Sequence, residues 1–242
     1  MSKNITIIIG GSGGIGRSVV RKFLTKNDEV IVLDKNEIID SKILSNEKFH
    51  FIKVDVTNID ELIKAKESIE EKYGYANNVV SMAGINMKSE IGGMDTITFE
   101  DIDKSIKLNL NSHIYIVKIF KDMLKQSNQE NKTITMISSI NAITDHGLPA
   151  YSAAKAGLYG FMKSIAKELS QEKIRINTIS LGTVPHNSDV IEGNTYFEEE
   201  LKDIAIKEFV KPTDVANTIY YLIYKMQGII GQNIILDNGQ SI

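Results

Sequence analysis

The 242-residue sequence contains no cysteine. That absence removes disulfides, thiolate nucleophiles and cysteine-bound zinc together, and it fits a reducing compartment. No apolar run approaches the ~20 residues that a membrane-spanning helix needs. A charge of one sign is missing as well, because the formal net charge is −3 and Lys and Arg are scattered through the chain. Nucleic acids and anionic membranes are bound by clustered basic residues, so neither partner is expected, and no metal site is expected either. There is no internal repeat, low-complexity tract or Pro- or Ser-rich linker, and the length suits one continuous domain over residues 1–242. The apolar stretch Ile5 to Ile9 is too short for a signal-peptide core and ends in glycines. A buried strand and a cytoplasmic location are therefore the expectation.

What is present begins with Gly10-Gly11-Ser12-Gly13-Gly14-Ile15-Gly16, followed by an amphipathic stripe of Ile15, Val19, Val20, Phe23 and Leu24. Glycines let the backbone turn sharply and approach a pyrophosphate, while a helix N-terminus offers unpaired amides and a positive dipole end. Strand, glycines and helix in that order point to a dinucleotide site. Glu29 to Leu33 reads as a second strand with Asp34 at its carboxyl end, about 20 residues beyond the glycines. A carboxylate there accepts hydrogen bonds from both ribose hydroxyls and repels a 2′-phosphate, so NAD is expected over NADP, with Lys35 next door as the countersign.

Further strands are read at 49–54, 78–82, 133–137, 174–180 and 233–236, with helical spacing at 59–72, 98–126, from 151 onward, around 196–209 and at 213–224. This alternation predicts a doubly wound, seven-stranded parallel α/β sheet with helices on both faces. Ligands of such sheets lie beyond the carboxyl ends of the strands, where Gly10, Asp34, Asp55, Ala83, Ser139 and Gly182 all fall. The polar, acidic excursion 186–211 reads as a substrate lid or a tolerated insertion.

Tyr151-Ser-Ala-Ala-Lys155 opens a long helical segment, and i, i+4 spacing stacks phenol and ammonium on one face. A phenol ionises near pH ~10, so service as a base near neutrality asks for a shift of ~3 units, about 4 kcal/mol. One cation ~4 Å away at an effective dielectric of ~20 supplies about that much, before desolvation acts in the opposite direction. Asn109 lies in the apolar stretch Ile106 to Phe120 and needs partners if buried. The small residues Ala153, Ala154, Ala156, Gly157 and Gly160 permit close packing, either on the sheet or on a second subunit.

Together these residues resemble the short-chain dehydrogenase/reductase family over essentially the whole chain. The resemblance is carried by Gly10-x-x-x-Gly14-Ile15-Gly16, Asp55, Ala83-Gly84, Asn109, the Ser138-Ser139 pair, Tyr151-x-x-x-Lys155 and Gly231-Gln232…Asp237-Asn238-Gly239. It implies a Rossmann-type sheet of strand order 3-2-1-4-5-6-7 and an NAD(H)-dependent oxidoreductase interconverting a secondary alcohol and a ketone. Tyr151 would be the proton donor or acceptor, Ser139 would hydrogen-bond the substrate oxygen, Lys155 would lower the Tyr pKa and bind the nicotinamide ribose, and Asn109 would fix a relay water. Gly10, Ser12, Gly14, Ile15, Gly16, Asp34, Asp55, Val56, Ala83, Gly84 and Val184 would contact the cofactor, along with Tyr151 and Lys155. The family's usual spacing points to Ser138, whereas strand alternation favours Ser139. A homotetramer or homodimer pairing through the helices of Asn109 and Tyr151 is implied.

Three departures stand out: Ile9 where the family has Thr, Ser81-Met82 where it has Asn-Asn, and Leu181 where it has Pro. These weaken loop and strand bracing and predict a mobile nicotinamide loop. Two alternatives stay open: a 3-oxoacyl-(acyl-carrier-protein) reductase, and a regulatory protein that binds nucleotide without catalysis. Pocket walls are expected from Asn86 to Thr96, Ile140 to Ala150 and His186 to Phe197, with His146, His186, Tyr196 and Phe197 among the contacts.

Overall fold

Five consecutive apolar or β-branched residues make strand β1 (Ile5–Ile9), buried on both faces, which is the signature of a central parallel strand. The computed structural model describes residues 3–144, 147–185 and 195–242, the side chains of Thr195 and Tyr196 excepted. After β1 come α1 (Gly14–Thr25), β2 (Glu29–Asp34), a short α2 (Ser41–Leu44), β3 (Phe49–Lys53), α3 (Ile59–Tyr73) and β4 (Asn78–Ser81). A 3₁₀ segment, Lys88–Asp95, precedes α4 (Phe99–Ile106), which runs through a π-helical turn, Lys107–Asn111, into α5 (Ser112–Lys125). The second half contains β5 (Lys132–Ser139), α6 (Pro149–Gln171), β6 (Ile174–Leu181), α7 (Thr195–Asp203), α8 (Pro212–Tyr224) and β7 (Asn233–Leu236).

All seven strands are parallel and hydrogen-bonded in the order β3-β2-β1-β4-β5-β6-β7. The direction of winding reverses between β1 and β4, so the carboxyl ends of Ile9 and its partner Ser81 flank the switch point. Alternation along β1 divides the core. Ile5, Ile7 and Ile9 pack with Leu62, Phe120 and Leu158 on one face, while Ile8 packs with Val20, Phe23 and Ile219 on the other.

Local chemistry fixes the element ends. Asn58 caps α3 by accepting from the amides of Asp60 and Glu61, and Gly74 ends it in the left-handed region at φ +75°. Thr98 caps α4 through the amide of Asp101. α6 departs from this pattern: its N-cap is Leu148, at φ +56° and with no side-chain cap bond, and Pro149 occupies the first turn. At the opposite end of the sheet from the switch point, Asp28 accepts from the hydroxyls of Thr6 and Tyr224, and Asn78 ties both to β5 through Thr133. The helix expected at 196–209 ends at Asp203.

Candidate active site

Two cavities open along the carboxyl rim of the sheet and share Ile15, Met82, Gly84 and Ile137 in their walls, so they form one continuous cleft. The first, about 480 Å³, runs past Gly10, Ser12 to Gly16, Asp34, Asp55, Val56, Ala83 and Gly84. The second, about 660 Å³, is walled by Ser139, Tyr151, Lys155 and Val184. Sequence-expected cofactor contacts thus fall into the two halves of a single groove.

The first cavity suits a dinucleotide on its own chemistry. No side chain caps the first turn of α1, and a Cβ built on Gly13 would meet nothing within 4 Å, leaving both amides and space for an anion. Gly10 must be glycine, since at φ +81° its Cβ would lie 2.7 Å from the Ala83 nitrogen. Asp34 accepts from the amide of Ser12 at 3.0 Å and of Asn36 at 3.0 Å, which aims its carboxylate along the groove and leaves lone pairs for hydroxyls. Burial works upward on the Asp55 carboxyl, but hydrogen bonds from the Thr57 amide and hydroxyl, with Lys35 and Lys107 nearby, hold it below the usual carboxylate range.

In the second cavity the Tyr151 phenol lies beside Ser139, which donates to Asn141 Oδ1 at 2.8 Å. Ser138 turns the other way and donates to the Lys155 carbonyl at 3.1 Å. Alternation along β5 therefore puts Ser139, not Ser138, beside the phenol. Lys155 is buried, with Nζ donating to the Ile137 carbonyl at 3.0 Å and lying 5.5 Å from the centre of the Tyr151 ring.

The electrostatics reverse one expectation. Lys155 does not depress the phenol in the protein alone: burial pushes Tyr151 up, the Ser139 hydrogen bond pulls down, and the Glu90 carboxylate adds a further upward push. The same burial brings the Lys155 ammonium down from 10.5 to about 7. Desolvation of both groups outweighs the charge attraction assigned to them from spacing alone.

Asn109 stands behind the wall, fully buried in the π turn. Its Oδ1 accepts from the Ile85 amide at 3.0 Å, and its Nδ2 donates to the Ile85 carbonyl at 2.9 Å and to Ser105 at 3.3 Å. The carboxamide is thus a brace, and a Cβ on Gly84 would sit 2.7 Å from it and 3.1 Å from Lys155 Nζ. Gly84 lets these two side chains close on the junction of the cavities.

The bracing thought missing at Ser81-Met82 is supplied by a residue that the sequence did not flag. His113 is fully buried on α5, with Nδ1 2.7 Å from Ser81 Oγ and Nε2 2.9 Å from the Ala83 carbonyl. A carbonyl only accepts, so Nε2 carries the proton and Nδ1 accepts from the serine. Burial, with the Lys155 charge, lowers His113 from 6.5 to about 3. The unfolded chain therefore takes up this proton as pH falls below 6.5 while the native protein does not until about 3, and stability is lost across that window. The expected slope from this residue is about 1.4 kcal/mol per pH unit. Urea unfolding between pH 6 and 4 should show that slope in the wild type and lose it in His113→Asn.

The start of the nicotinamide-side loop is likewise tied down, at Gly182 and Thr183. Gln240 accepts from the Thr183 amide at 2.8 Å and donates to its hydroxyl at 3.1 Å, and Gly182 donates to the Leu236 carbonyl at 3.0 Å. Of the expected substrate walls, Asn86, Ile91, Ile140, Asn141, Leu148 and Phe197 line the cavity, joined by Glu200 and Gln240. His146, His186 and residues 186–194 of the expected lid lie outside the described residues, as does the side chain of Tyr196. Of the small residues on α6, Ala154 is buried and Gly157 packs against Leu110, while Ala153, Ala156 and Gly160 face outward.

A family model described as Enoyl-(Acyl carrier protein) reductase matches residues 10–241. The chain belongs to the short-chain dehydrogenase/reductase family. It is thus an oxidoreductase of that family, whose members use NAD(H) or NADP(H) and small-molecule substrates. Short-chain dehydrogenase/reductase relatives include the 3-oxoacyl-(acyl-carrier-protein) reductase FabG of Buchnera aphidicola subsp. Acyrthosiphon pisum, 27% identical over 243 residues, covering 99% of this chain and 97% of that protein. Carbonyl reductase family member 4 of Danio rerio is 28% identical over 240 residues, covering 97% of each. Among solved structures, an oxidoreductase of the short-chain dehydrogenase/reductase family from Burkholderia thailandensis is 26% identical, with a TM-score of 0.86 over 99% of this chain and 93% of that one. Among the described residues no helix is long and apolar enough to cross a membrane, and no group of three His, Cys, Asp or Glu could hold a metal.

Proposed function

We propose that this protein is an NAD(H)-dependent oxidoreductase that interconverts a secondary alcohol and a ketone. The observation that carries this reading is the placement of Tyr151, Ser139 and Lys155 on one wall, at the junction with a groove suited to a dinucleotide. A nicotinamide dinucleotide bound in that groove supplies the hydride acceptor or donor. Asp34 would hold its adenosine ribose, the first turn of α1 its pyrophosphate, and Lys155 its second ribose.

The chain's own residues handle the proton. Ser139 donates to the substrate oxygen and fixes its distance from the phenol. Tyr151 takes the hydroxyl proton in the oxidative direction and returns it in the reductive one. Lys155, with a pKa of about 7, stands ready to carry the positive charge that steadies a phenolate. Asn109 holds Ile85 by its side chain, so a relay water would be held by its main-chain carbonyl, in a turn loosened from ordinary helical pairing. Pairing through α5 and α6 into a homodimer or homotetramer is part of the same proposal, with Ala153, Ala156 and Gly160 presenting a close-packing surface.

The name of the Buchnera relative favours a narrower reading, in which the ketone is a 3-oxoacyl thioester. Two measurements separate the possibilities. Titration with NADH and NADPH should give at least about tenfold tighter NADH binding, since a 2′-phosphate would face the Asp34 carboxylate, and Asp34→Ser should narrow the gap. Tighter NADPH binding by the wild type would defeat the NAD assignment. A panel of simple ketones, sugars and 3-oxoacyl thioesters then assigns the substrate, and no hydride transfer to any of them would favour the nucleotide-binding regulator.

A further inference from the structure

Glu90 is the one acidic side chain among the described residues that the fold buries completely beside the candidate catalytic helix. It sits in the 3₁₀ segment Lys88–Asp95, which follows the switch-point strand and whose next residue, Ile91, lines the substrate cavity. Its Oε2 accepts the backbone N–H of Tyr151 at 2.8 Å, while its Oε1 is buried with no hydrogen-bond partner among the described residues.

This arrangement answers a deficit in α6. The first amides of a helix need acceptors, and the residue placed to supply one is Leu148, which has no polar side chain and sits in the left-handed region that disfavours leucine. Pro149 has no N–H, so the amide of Tyr151 is among the first that require a partner. A serine or aspartate at position 148 would supply it locally and without burying a charge. The chain instead brings a carboxylate from 61 residues away, and its second oxygen has no partner among the described residues. Such an unmet buried acceptor ordinarily destabilises a fold. Its retention here directs attention to what a negative charge does for the helix it caps.

We propose that Glu90 is a positioning residue for Tyr151, capping the catalytic helix through that residue's own amide and setting a carboxylate against the turn that carries the phenol. This rests on the reading of Tyr151 as the proton-transferring group. Three groups act on the phenol: Ser139 from β5, Lys155 from α6 with its Nζ 5.5 Å from the ring centre, and Glu90 from the 3₁₀ segment through its charge. His113 on α5 is electrostatically coupled to Lys155, and Asp101 on α4 takes the Ser89 hydroxyl one residue from Glu90. Asp145 and His146 lie outside the described residues. Glu90 opposes ionisation of the phenol, against the pull of Ser139. The carboxylate thus keeps the tyrosine protonated until the cofactor and Lys155 favour the phenolate, and it links the substrate wall at Ile91 to the first turn of α6.

The test is a direct titration of Tyr151, read as the phenolate absorbance difference between each protein and its own Tyr151→Phe counterpart. Glu90→Gln keeps an oxygen that can accept the amide but removes the charge. The expected result is a Tyr151 titration about one unit lower than in the wild type, with the alkaline limb of the kcat/KM profile moving by the same amount. Glu90→Leu, which removes the cap as well, should lower kcat about tenfold or more while leaving NADH affinity within about threefold. Titration curves of wild type and Glu90→Gln that superimpose would overturn the proposal. The absorbance measurement needs no substrate, so loss of the oxidoreductase reading would not blur the result for Glu90.

Discussion

Tyr151→Phe is expected to lower kcat by about 10³- to 10⁴-fold while NADH affinity stays within about twofold of wild type. The substitution deletes one oxygen. The aromatic ring remains on α6, Ser139 keeps its bond to Asn141, and Lys155 keeps its bond to Ile137, so the cavity walls survive. What disappears is the atom that exchanges a proton with the substrate oxygen, worth about 4 to 5.5 kcal/mol of barrier at about 1.36 kcal/mol per decade. Single-turnover hydride transfer followed at the nicotinamide absorbance would give the rate, and fluorescence titration would give the affinity. A variant within about tenfold of wild-type turnover would remove Tyr151 from the chemistry. Ser139→Ala is the informative companion, since it disturbs the partner of the phenol and leaves the phenol in place.

The second large effect concerns stability and lies at the other end of the sheet. Arg175, buried near the start of β6, donates to the carbonyls of Leu222 and Ile223 at 3.0 and 2.8 Å and of Ile229 and Met226 at 3.0 and 3.3 Å, and to Asn131 Oδ1 at 3.0 Å. One planar fork thus closes the C-terminal end of α8 and the turn leading to β7, where the helix dipole favours a cation. Burial lowers its pKa, yet a guanidinium remains charged across the physiological range. Arg175→Ala leaves those oxygens short of a donor and is expected to destabilise the fold by about 3 to 5 kcal/mol. At about 2 to 4 °C per kcal/mol for a chain of this size, thermal unfolding should fall by roughly 6 to 20 °C. Arg175→Lys should lie between, because an ammonium offers three donors and no fork. A loss under about 1 kcal/mol would mean that water takes over the role of the side chain. NADH binding to whatever remains folded should be normal, as Arg175 sits about 20 Å along β6 from the cleft.

These two residues mark what could and could not be read from the sequence. Strand β1, the glycine turn, Asp34 and the Tyr151–Lys155 pair are local patterns, each determined within a few positions, and the sheet order follows once they match a known arrangement. Ser139 was separable from Ser138 because alternation along a strand is also local. Glu90, Gln240 and Arg175 act on partners 61, 57 and 44 or more positions away, and nothing near them in sequence announces the contact. His113 did leave a trace: it occupies the buried stripe that continues through Ile116, Val117 and Phe120, opposite a strand whose usual asparagines are absent. A histidine on such a stripe must find polar partners, and Ser81 was the available one. The direction of the Tyr151 shift was out of reach for a different reason. Spacing gives the charge neighbour but not the depth, and depth decides the sign.

The grip of Gln240 on Thr183 bears on how the protein matures. A chain emerging from the ribosome amino end first has produced the glycine turn, Asp34 and both members of the Tyr–Lys pair by residue 155, yet the side chain that holds Thr183 comes only at residue 240. The half of the groove at the glycine turn can therefore order earlier in synthesis, whereas the half where hydride would move waits for residue 240.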